Sequence, residues 1–582
     1  MGFGRVVIAA LCVVTLGGET MASNAGKNGR ARIPSAPEVG EALHNGTGNL
    51  SKLHRDELVR KLGAIKNYLE ASKATDTNAV QLLRFAAEVE KEVRTKKYGL
   101  VFEEHKERVD VELEHNLPVL TEDKKRFIDN GGEVNFLIEG DNLAALKLLE
   151  KTHRGRIDIV YLDPPYNTGR KDFIYNDSYV DATDTFRHSK WLSFMKKRLE
   201  VARLVMSEGA IILLSIDDNE RANLELLCDD VFGRENFITT FVWQKKKGGG
   251  QAKYVYEGHE YVLAYARDKR VIGKLLVDDD KEMTGEKYLK RGEKTYFIND
   301  DFIRAVFGKY DAGAERRCHY EDILALKGKA KFDEVEEKLK RGEYILRESD
   351  SDPKKHYVCR LEDVSEGKKK VVYSVISGIR TEDGNNEIKE MGLSFDNPKP
   401  IALMEMILNL TQNKKAQVLD FFAGSGTTGH AVMNLNAKDG GKRKFILVTN
   451  NENGICEKVT YERLKRVIEK ENYAARLKYY KIGYVPIDEK VYYEYANDLL
   501  KHIRELVELE NAVDFSKDKT VAIALTDKEL EKFVGNDKRL EVCKAVYVGH
   551  DVLISSAIKA TLKKHGVKVN IIPQYYYPEL EG

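Results

Sequence analysis

Closely spaced cysteines are missing from this chain of 582 residues. Its six cysteines are scattered between Cys12 and Cys543, with no pair at the spacing of zinc ligands, so we expect no metal site and a reducing compartment. An excess of charge is missing too, because 95 Lys and Arg residues are balanced by 94 Asp and Glu residues. A nucleic-acid partner would therefore have to meet a local basic patch rather than bulk positive charge.

A membrane-length apolar run is absent from the N-terminus. Arg5, the apolar run Val6–Leu16 and the small residues near Ala22 imitate a short secretory signal, but the run is too short to span a bilayer. The polar stretch that begins at Met21 is typical of a disordered leader. We expect residues 1–50 to form such a leader, in which the apolar run is an upstream extension rather than a signal peptide.

The length of the chain predicts roughly three to four domains. Residues 51–115 carry apolar residues at helical spacing among many charges, which indicates an amphipathic helical region that packs on its own domain or on another subunit. From Asn135 the pattern changes to alternating strands and helices, and the helix in WLSFMKKRLEVARLVMSEG is expected to end at Gly209. This alternation predicts a parallel α/β sheet with helices on both faces.

One predicted strand ends in an unusual corner. In DIVYLDPPYNTG, residues 158–169, an apolar strand runs into one acid, two prolines and an aromatic ring. Prolines lack a backbone donor and have a fixed φ, so they end helix and ladder pairing and make a stiff strand exit. Ligands of parallel sheets bind beyond the carboxyl ends of the strands. We therefore expect a functional corner formed by Asp163, Pro164, Pro165 and Tyr166.

The middle of the chain, residues 237–386, loses the alternation of strands and helices. It contains basic clusters at Lys327–Lys331 and Lys368–Lys370, and its tyrosines are interleaved with positive charge. Basic side chains beside aromatic rings suit phosphate neutralisation and base stacking. A solvated surface with ordinary lysines explains the same composition equally well.

A glycine-rich turn follows a later strand, in AQVLDFFAGSGTTGHAVMNLNA, and is expected to open a helix at Thr427. Glycines let the backbone approach a ligand closely, and a helix start offers unpaired amides. Gly424, Gly426 and Gly429 also match the dinucleotide pattern G-x-G-x-x-G, but a lone match is weak evidence for a hydride-transfer enzyme. Glu452, near the end of the next strand, is placed to bind the ribose hydroxyls of any nucleoside cofactor.

Three motifs together discriminate between these possibilities. DPPY at Asp163–Tyr166, F-x-N-P-K-P at Phe395–Pro400 and F-x-G-x-G at Phe422–Gly426 resemble the amino-methyltransferases that act on DNA. The order, with the tetrad about 260 residues before the glycine loop, is similar to the beta class. Longer stretches, including LIEGDNLAALKLL and LDFFAGSGTTGHAVMNLN, resemble the modification subunit of type III restriction-modification systems. The likeness covers most of the chain from Tyr98 onwards.

The resemblance implies a Rossmann-like, parallel or mixed sheet of seven strands with helices on both faces, and accessory N- and C-terminal regions. It divides the chain after the leader and the helical region into four further parts. Residues 116–236 and 387–475 would form the two parts of the methyltransferase core. Residues 237–386 would form an inserted target-recognition domain, and residues 476–582 a C-terminal α/β domain.

The resemblance also implies the chemistry. The 6-amino group of adenine is a poor nucleophile because its lone pair is delocalised, and acceptors at Asp163 and the Pro164 carbonyl would free that pair for methyl transfer from S-adenosyl-L-methionine. The two prolines, including Pro165, would fix the geometry. Tyr166 would stack on a base that has been flipped out of the duplex. No covalent enzyme intermediate is required.

The cofactor residues are implied by the same resemblance. The glycine loop would cradle the methionine part, Asp420 and Lys399 would flank its charged amino-acid end, and Asp141 is a candidate for the same pocket. Asp420 as a helix cap and Lys399 as a surface lysine are the plain alternatives. The full predicted set is Asp141, Lys399, Asp420, Phe422, Gly424, Gly426, Thr427 and Glu452.

The expected partner is double-stranded DNA, and the family suggests a homodimer in which one subunit reads the site while the other methylates. The chain contains no G-x-x-x-x-G-K-[ST] loop, so DNA cleavage would need a separate ATP-dependent restriction subunit. A cofactor and a polymer found inside cells imply a cytoplasmic protein without a membrane partner. Two alternatives stay open, namely methylation of the 4-amino group of cytosine and a DNA-binding protein that has lost activity.

Overall fold

The computed structural model divides the chain into two compact units, Met1–Val101 and Phe102–Gly582. Nearly all of the predicted leader lies outside the described residues. Those residues are 50–72, 78–94, 102–170, 172–175, 178–248, 254–278, 286–300, 317–350, 352–364, 369–488, 490 and 492–578.

Helices and strands alternate along most of the second unit. In chain order the α-helices are α1 (Leu50–Ser72), α2 (Ala79–Arg94), α3 (Arg108–His115), α4 (Asn142–His153), α5 (Arg187–Val205), α6 (Arg221–Phe232), α7 (Tyr320–Lys327), α8 (Lys329–Lys340), α9 (Thr381–Glu390), α10 (Ile401–Leu408), α11 (Thr427–Asp439), α12 (Glu462–Glu471), α13 (Tyr492–Leu500), α14 (Ile503–Asn511), α15 (Asp527–Val534), α16 (Asp537–Val542) and α17 (Ser556–Lys564). No helix in the described ranges is both long and apolar enough to cross a membrane.

The strands fall into one large sheet and several small ones. In chain order they are β1 (Asn116–Glu122), β2 (Ile128–Asp129), β3 (Glu133–Glu139), β4 (Ile157–Leu162), β5 (Ile174–Tyr175), β6 (Ser178–Tyr179), β7 (Met206–Ile216), β8 (Phe237–Gln244), β9 (His259–Ala266), β10 (Leu276–Asp278), β11 (Tyr288–Arg291), β12 (Lys294–Asn299), β13 (Tyr344–Glu348), β14 (His356–Asp363), β15 (Lys369–Val371), β16 (Val375–Ile376), β17 (Gln417–Asp420), β18 (Lys444–Thr449), β19 (Ala475–Pro486), β20 (Val521–Ala524), β21 (Ala545–Gly549) and β22 (Lys568–Ile572).

The first unit contains the helices α1 and α2, whereas a single helical region over residues 51–115 stays a prediction. Both helices carry charged and apolar residues at helical spacing. Lys66 on α1 donates a hydrogen bond to Glu90 on α2 at 2.9 Å, so an ion pair joins the two helices. The next helix along the chain, α3, belongs to the second unit.

Among the described residues, the large sheet has eleven strands in the order β1-β19-β3-β18-β17-β4-β7-β9-β8-β16, with β2 beside β19. The seven consecutive strands from β3 to β8 confirm the predicted mixed sheet, since six run parallel and β9 runs antiparallel between β7 and β8. Successive residues of β3, β4, β7 and β18 are buried, so helices and loops cover both faces.

The structure differs from the sequence predictions in two places. The helix expected to end at Gly209 ends at Val205, because Met206 takes an extended conformation and pairs with Ile157 of β4. The large sheet also takes β8, β9 and β16 from the middle segment and continues through β19 to Pro486. Here β8 and β9 form an antiparallel pair, and the described residues between them contain no helix, so the alternation that marks the core in the sequence stops before them.

Smaller sheets complete the second unit. In the middle segment an antiparallel sheet of order β11-β12-β14-β13 packs with α7 and α8 around a small apolar core. Near the C-terminus, β20, β21 and β22 form a parallel sheet with α15, α16 and α17, which has its own apolar core.

Candidate active site

The two main motifs lie at the ends of neighbouring strands. Strand β4 leads into the DPPY corner, strand β17 leads into the glycine loop, and the two strands pair in parallel with Val418 opposite Ile159. Their carboxyl ends therefore meet at the same edge of the sheet, where ligands of such sheets bind. The structure thus brings Asp163 and Asp420 to adjacent strand ends.

Side chains from α5 and α6 hold the backbone of the corner. The indole N–H of buried Trp191 donates to the Pro165 carbonyl at 2.7 Å. Asn167 follows the tetrad in the left-handed region, with φ of 55°, which Asn tolerates better than most residues. Its buried amide donates to Glu220 and to the carbonyl of Arg187. These anchors fix the chain on both sides of Tyr166.

The carboxylate of Asp163 sits in a compact cluster of charges. Lys399 Nζ donates to both Asp163 oxygens at 2.9 Å, and the Tyr166 hydroxyl donates to Asp163 Oδ1 at 2.9 Å. The same hydroxyl lies 3.2 Å from Glu260 Oε2, and Lys245 Nζ lies 2.8 Å from Glu260 Oε1. Two carboxylates and two ammonium groups therefore balance one another around the Tyr166 hydroxyl.

The ionisation states of the cluster follow from burial and pairing. Burial, with Asp163 and Glu260 close by, raises the pKa of Tyr166 well above its ordinary value, so the hydroxyl keeps its proton. Burial works to lower the pKa of Lys399, but the charges of Asp163 and Glu260 outweigh it and raise that pKa. Lys399 therefore stays charged and forms an ion pair with Asp163.

The glycine loop depends on backbone conformation. Gly424 and Gly426 have φ of 49° and 77°, in the left-handed region that favours glycine. Asp420 accepts hydrogen bonds from the Phe422 amide at 2.9 Å and from the Thr428 hydroxyl, which ties the start of the loop to α11. Burial, with a contribution from the Asp163 charge, raises the pKa of Asp420 to about 7 although both hydrogen bonds oppose the rise.

A buried arginine on α12 supports the loop through hydrogen bonds to its side chains. Arg463 of α12 donates to the Ser425 hydroxyl at 3.2 Å and to the Thr427 hydroxyl at 2.7 Å. Burial lowers the pKa of Arg463 to about 10, and the carboxylate of Glu387, 3.7 Å away, works against that change. The hydroxyl of Thr427 therefore faces the protein interior.

The segment Phe395–Pro400 links the two motifs. Lys399 binds Asp163, whereas the ring of Phe395 lies against the glycine loop, where a Cβ added at Gly424 would come within 3.2 Å of its Cζ. A Cβ at Gly384 would lie 2.4 Å from the Pro398 carbonyl oxygen, so α9 packs directly on this segment. One stretch of chain thus touches both the corner and the loop.

The other predicted cofactor residues lie around the same edge. Asp141 caps α4 by accepting from the amides of Leu143 and Ala144, and the neighbouring Asn142 donates to the Phe421 carbonyl at 3.1 Å. The half-buried Phe422 ring lies 5.8 Å from that of Phe194, centroid to centroid. Exposed Glu452 begins a turn just after β18, the strand next to β17.

Several residues of this site were not predicted from the sequence. Glu260 and Trp191 contact the corner, and Lys245 binds Glu260. Arg463 and Thr428 support the glycine loop. The one local signal for Glu260 is an acid at a buried position of an otherwise apolar strand, HEYVLAYA.

The glycine loop fits a nucleoside cofactor such as S-adenosyl-L-methionine. Any side chain at Gly424 or Gly426 would meet Phe395 or Thr460 within 3.2 Å, so the loop keeps a bare backbone. The start of α11 directs unpaired amides toward the same edge, and Asp420 brings a carboxylate there. A bare backbone, helix amides and an acid are the features that such a cofactor requires.

Comparison with known proteins agrees with this geometry. The family model described as DNA methylase matches residues 157–546. The chain is 31% identical over 388 residues to the type III restriction-modification enzyme StyLTI Mod subunit of Salmonella typhimurium, covering 58% of this chain and 56% of that protein. It is 33% identical over 334 residues to the type II methyltransferase M.KpnI of Klebsiella pneumoniae, covering 54% of this chain and 79% of that protein.

The match to the first of these relatives spans little more than half of that protein's length. A solved complex of M1.HpyAVI with SAM is 13% identical and covers 57% of this chain and 97% of that one, but its TM-score of 0.29 is too low to carry an argument. The family model, in contrast, matches well over half of the chain and includes both the corner and the loop. The chain therefore belongs to the DNA methylase family.

Proposed function

We propose that this protein is a DNA methyltransferase that modifies the 6-amino group of adenine in a specific sequence. The observation that carries the proposal is the meeting of the DPPY corner and the glycine loop at adjacent strand ends, with the segment Phe395–Pro400 touching both. Membership of the DNA methylase family and the names of the matched relatives support it.

The residues of the corner have separate tasks in this proposal. Asp163 and the Pro164 carbonyl accept the two amine protons, which localises the lone pair on the nitrogen. Fixed acceptors stabilise the positive charge that develops there, and one such group is typically worth on the order of 3 kcal/mol. Pro164 and Pro165 keep the acceptors in place, with Trp191 holding the Pro165 carbonyl. Tyr166 offers a ring face to a base that has left the stack.

The cofactor would be S-adenosyl-L-methionine, held by the glycine loop. When bound, it supplies an electrophilic methyl group. Phe422, Gly424 and Gly426 would line its methionine part, and Asp420 would pair with its amino group. The remaining proposed contacts come from Asp141, Thr427, Glu452 and Lys399; of these, Lys399 is engaged by Asp163 and the Thr427 hydroxyl by Arg463 in the structure.

Recognition of the DNA sequence would belong to the middle segment, residues 237–386, through its smaller sheets. Exposed Tyr254 and Tyr373 and the basic residues of this segment suit contacts with bases and phosphates. We extend to this chain the double-stranded DNA substrate, the homodimer and a separate ATP-dependent restriction subunit, because several matched relatives are type III Mod subunits.

Expression in a host that lacks DNA methylation, followed by long-read mapping of modified bases, tests the proposal. We expect methylated adenine at one short sequence context. Methylated cytosine would favour the cytosine alternative, and unmodified DNA from a well-expressed protein would contradict the activity. Exchange of residues 237–386 with those of a related enzyme should change the methylated sequence, and an unchanged site would contradict the assignment of this segment.

A further inference from the structure

Four acceptor atoms compete for the three N–H donors of Lys399. Its Nζ lies 2.9 Å from each oxygen of Asp163, 2.9 Å from the Tyr166 hydroxyl oxygen and 3.4 Å from Glu260 Oε2. At any moment, therefore, one of the four acceptors receives no hydrogen bond from Lys399. Glu260 is the most distant of the four, so in this structure Asp163 holds most of the donor capacity of the lysine.

Glu260 has a fixed position in this cluster. It lies in β9 opposite Trp243 of β8, and it is 9% exposed. Lys245 holds its other oxygen at 2.8 Å. Burial works to raise the pKa of Glu260, but Lys399 and Lys245 outweigh burial and lower it, so the residue is an anion. A permanent second carboxylate therefore stands beside Asp163 and shares its lysine.

The acceptor capacity of Asp163 is nearly full. A carboxylate offers about four lone-pair positions, of which Lys399 takes two and the Tyr166 hydroxyl one. The Asp163 side chain keeps 27% of its surface exposed, so an incoming group can reach it. One position remains open, but an amine that takes the place of Lys399 at one oxygen displaces one of the Lys399 hydrogen bonds. A buried ammonium N–H that loses its hydrogen-bond partner in this way destabilises the site unless another acceptor replaces that partner.

We propose that Glu260 is a positioning residue for methyl transfer. When the target amine displaces one Lys399 N–H from Asp163, Glu260 accepts the hydrogen bond from that N–H, and Lys399 keeps its proton. The inference rests on the proposed function and assigns Glu260 no contact with base or cofactor. Lys399 makes three hydrogen bonds before and after the exchange, so the amine gains an acceptor without leaving an unpaired donor. No covalent bond forms or breaks in this step.

Three variants test the role of Glu260. Glu260→Gln keeps the shape of the side chain but loses its charge, and we expect the single-turnover rate of methyl transfer to fall on the order of 10-fold to 100-fold. The KM for DNA and the Kd of the cofactor should stay within about twofold of wild type, which a general loss of structure would not allow. Glu260→Asp should recover part of the rate. Exposed Glu208, near the start of β7 and so at the opposite edge of the sheet, gives the matched control Glu208→Gln with an unchanged rate.

A double-mutant cycle with Lys399→Met tests the route of the effect. If Glu260 acts through Lys399, adding Glu260→Gln to Lys399→Met should cost less than about twofold in rate, whereas independent effects multiply. A Glu260→Gln rate within twofold of wild type, or multiplying effects in the cycle, would overturn the inference. If Glu260→Gln fails to fold, Glu260→Asp becomes the test. A wild-type rate of methyl transfer in Glu260→Asp, together with weakened DNA binding, would also overturn the inference. Absence of methyl transfer by the wild-type protein would instead contradict the proposed function.

Discussion

The DPPY corner and the glycine loop lie at adjacent strand ends, but they are held in different ways. The corner depends on side chains that arrive from elsewhere, namely Trp191, Glu220 and Lys399. The loop depends on its own backbone, with left-handed Gly424 and Gly426, on hydrogen bonds that begin within it, and on Arg463 of α12. The corner is therefore sensitive to the chemistry of distant residues, whereas the loop is sensitive to any added atom.

The largest expected effect comes from removing the carboxylate of the corner. Asp163→Ala should lower methyl transfer by about 100-fold to 1,000-fold, because the fixed acceptor is lost and Lys399 loses the carboxylate that it binds at 2.9 Å. Cofactor binding should persist, because the hydrogen bonds that hold the loop do not involve Asp163. Rates come from incorporation of labelled methyl groups, and cofactor affinity from calorimetry.

Asp268 offers a matched control for this variant. Its side chain is 27% exposed, as that of Asp163 is, and it pairs with a cation, Arg270. It follows β9, which runs antiparallel to β7, so it lies at the opposite edge of the sheet. Asp268→Ala should leave turnover unchanged. Normal turnover by Asp163→Ala would refute the role of the corner.

The second effect concerns the loop. Gly426→Ala places a Cβ 3.2 Å from Thr460 Cγ2 at φ of 77°, so we expect a loss of about 1–2 kcal/mol in unfolding free energy and cofactor binding weakened about tenfold. Gly440, at the other end of α11, has φ of 65° and open space around it. Gly440→Ala should show a similar stability loss with normal cofactor binding. Equal cofactor affinity in the two variants would contradict the role of the loop.

The third effect is a pH dependence that separates the two motifs. Because burial raises the pKa of Asp420 to about 7, this carboxyl is protonated below that pH and cannot pair with the cofactor ammonium. Binding of the cation should release a proton, so affinity should rise from pH 5.5 to 7, by at most about tenfold per unit. Calorimetry in buffers of different ionisation enthalpy measures both the proton release and the cofactor affinity. Asp420→Asn should remove the dependence, and a flat profile in the wild-type protein would argue against this pairing.

The smallest effect concerns the anchor of the corner. Trp191→Phe removes the hydrogen bond to the Pro165 carbonyl, and we expect a stability loss of about 1–3 kcal/mol together with a roughly tenfold lower turnover. Tyr265→Phe is the control, since its buried hydroxyl bonds Asp229 and the Glu225 carbonyl near the opposite end of β9. It should lose similar stability and keep its turnover. Equal turnover in both variants would show that the anchor has no functional role.

Local motifs predicted much of the fold and site. The two prolines identified the strand exit at Asp163, and the glycine pattern identified the turn that opens α11 at Thr427. These predictions succeeded because proline fixes its own φ, and glycine allows backbone conformations that other residues rarely adopt. The parallel order of the central strands followed from the alternation of strands and helices.

The partners of the corner could not be predicted in the same way. Glu260 reaches Tyr166 because β9 inserts antiparallel between β7 and β8, and no local pattern in the sequence states that order. The contact of Lys399 with Asp163 joins residues that are 236 positions apart, so the motif alone suggested a lysine near the cofactor. Such long-range contacts are decided by the packing of the whole sheet.

A crystal structure of the protein with its DNA site and a cofactor analogue that carries no transferable methyl group tests the central claim most directly. The quantity to measure is the position of the target adenine amine. We predict an extruded adenine whose amine lies within hydrogen-bond distance of Asp163 and about 3–3.5 Å from the atom that replaces the methyl group. An adenine that stays stacked, or that binds away from both Asp163 and the glycine loop, would contradict the account.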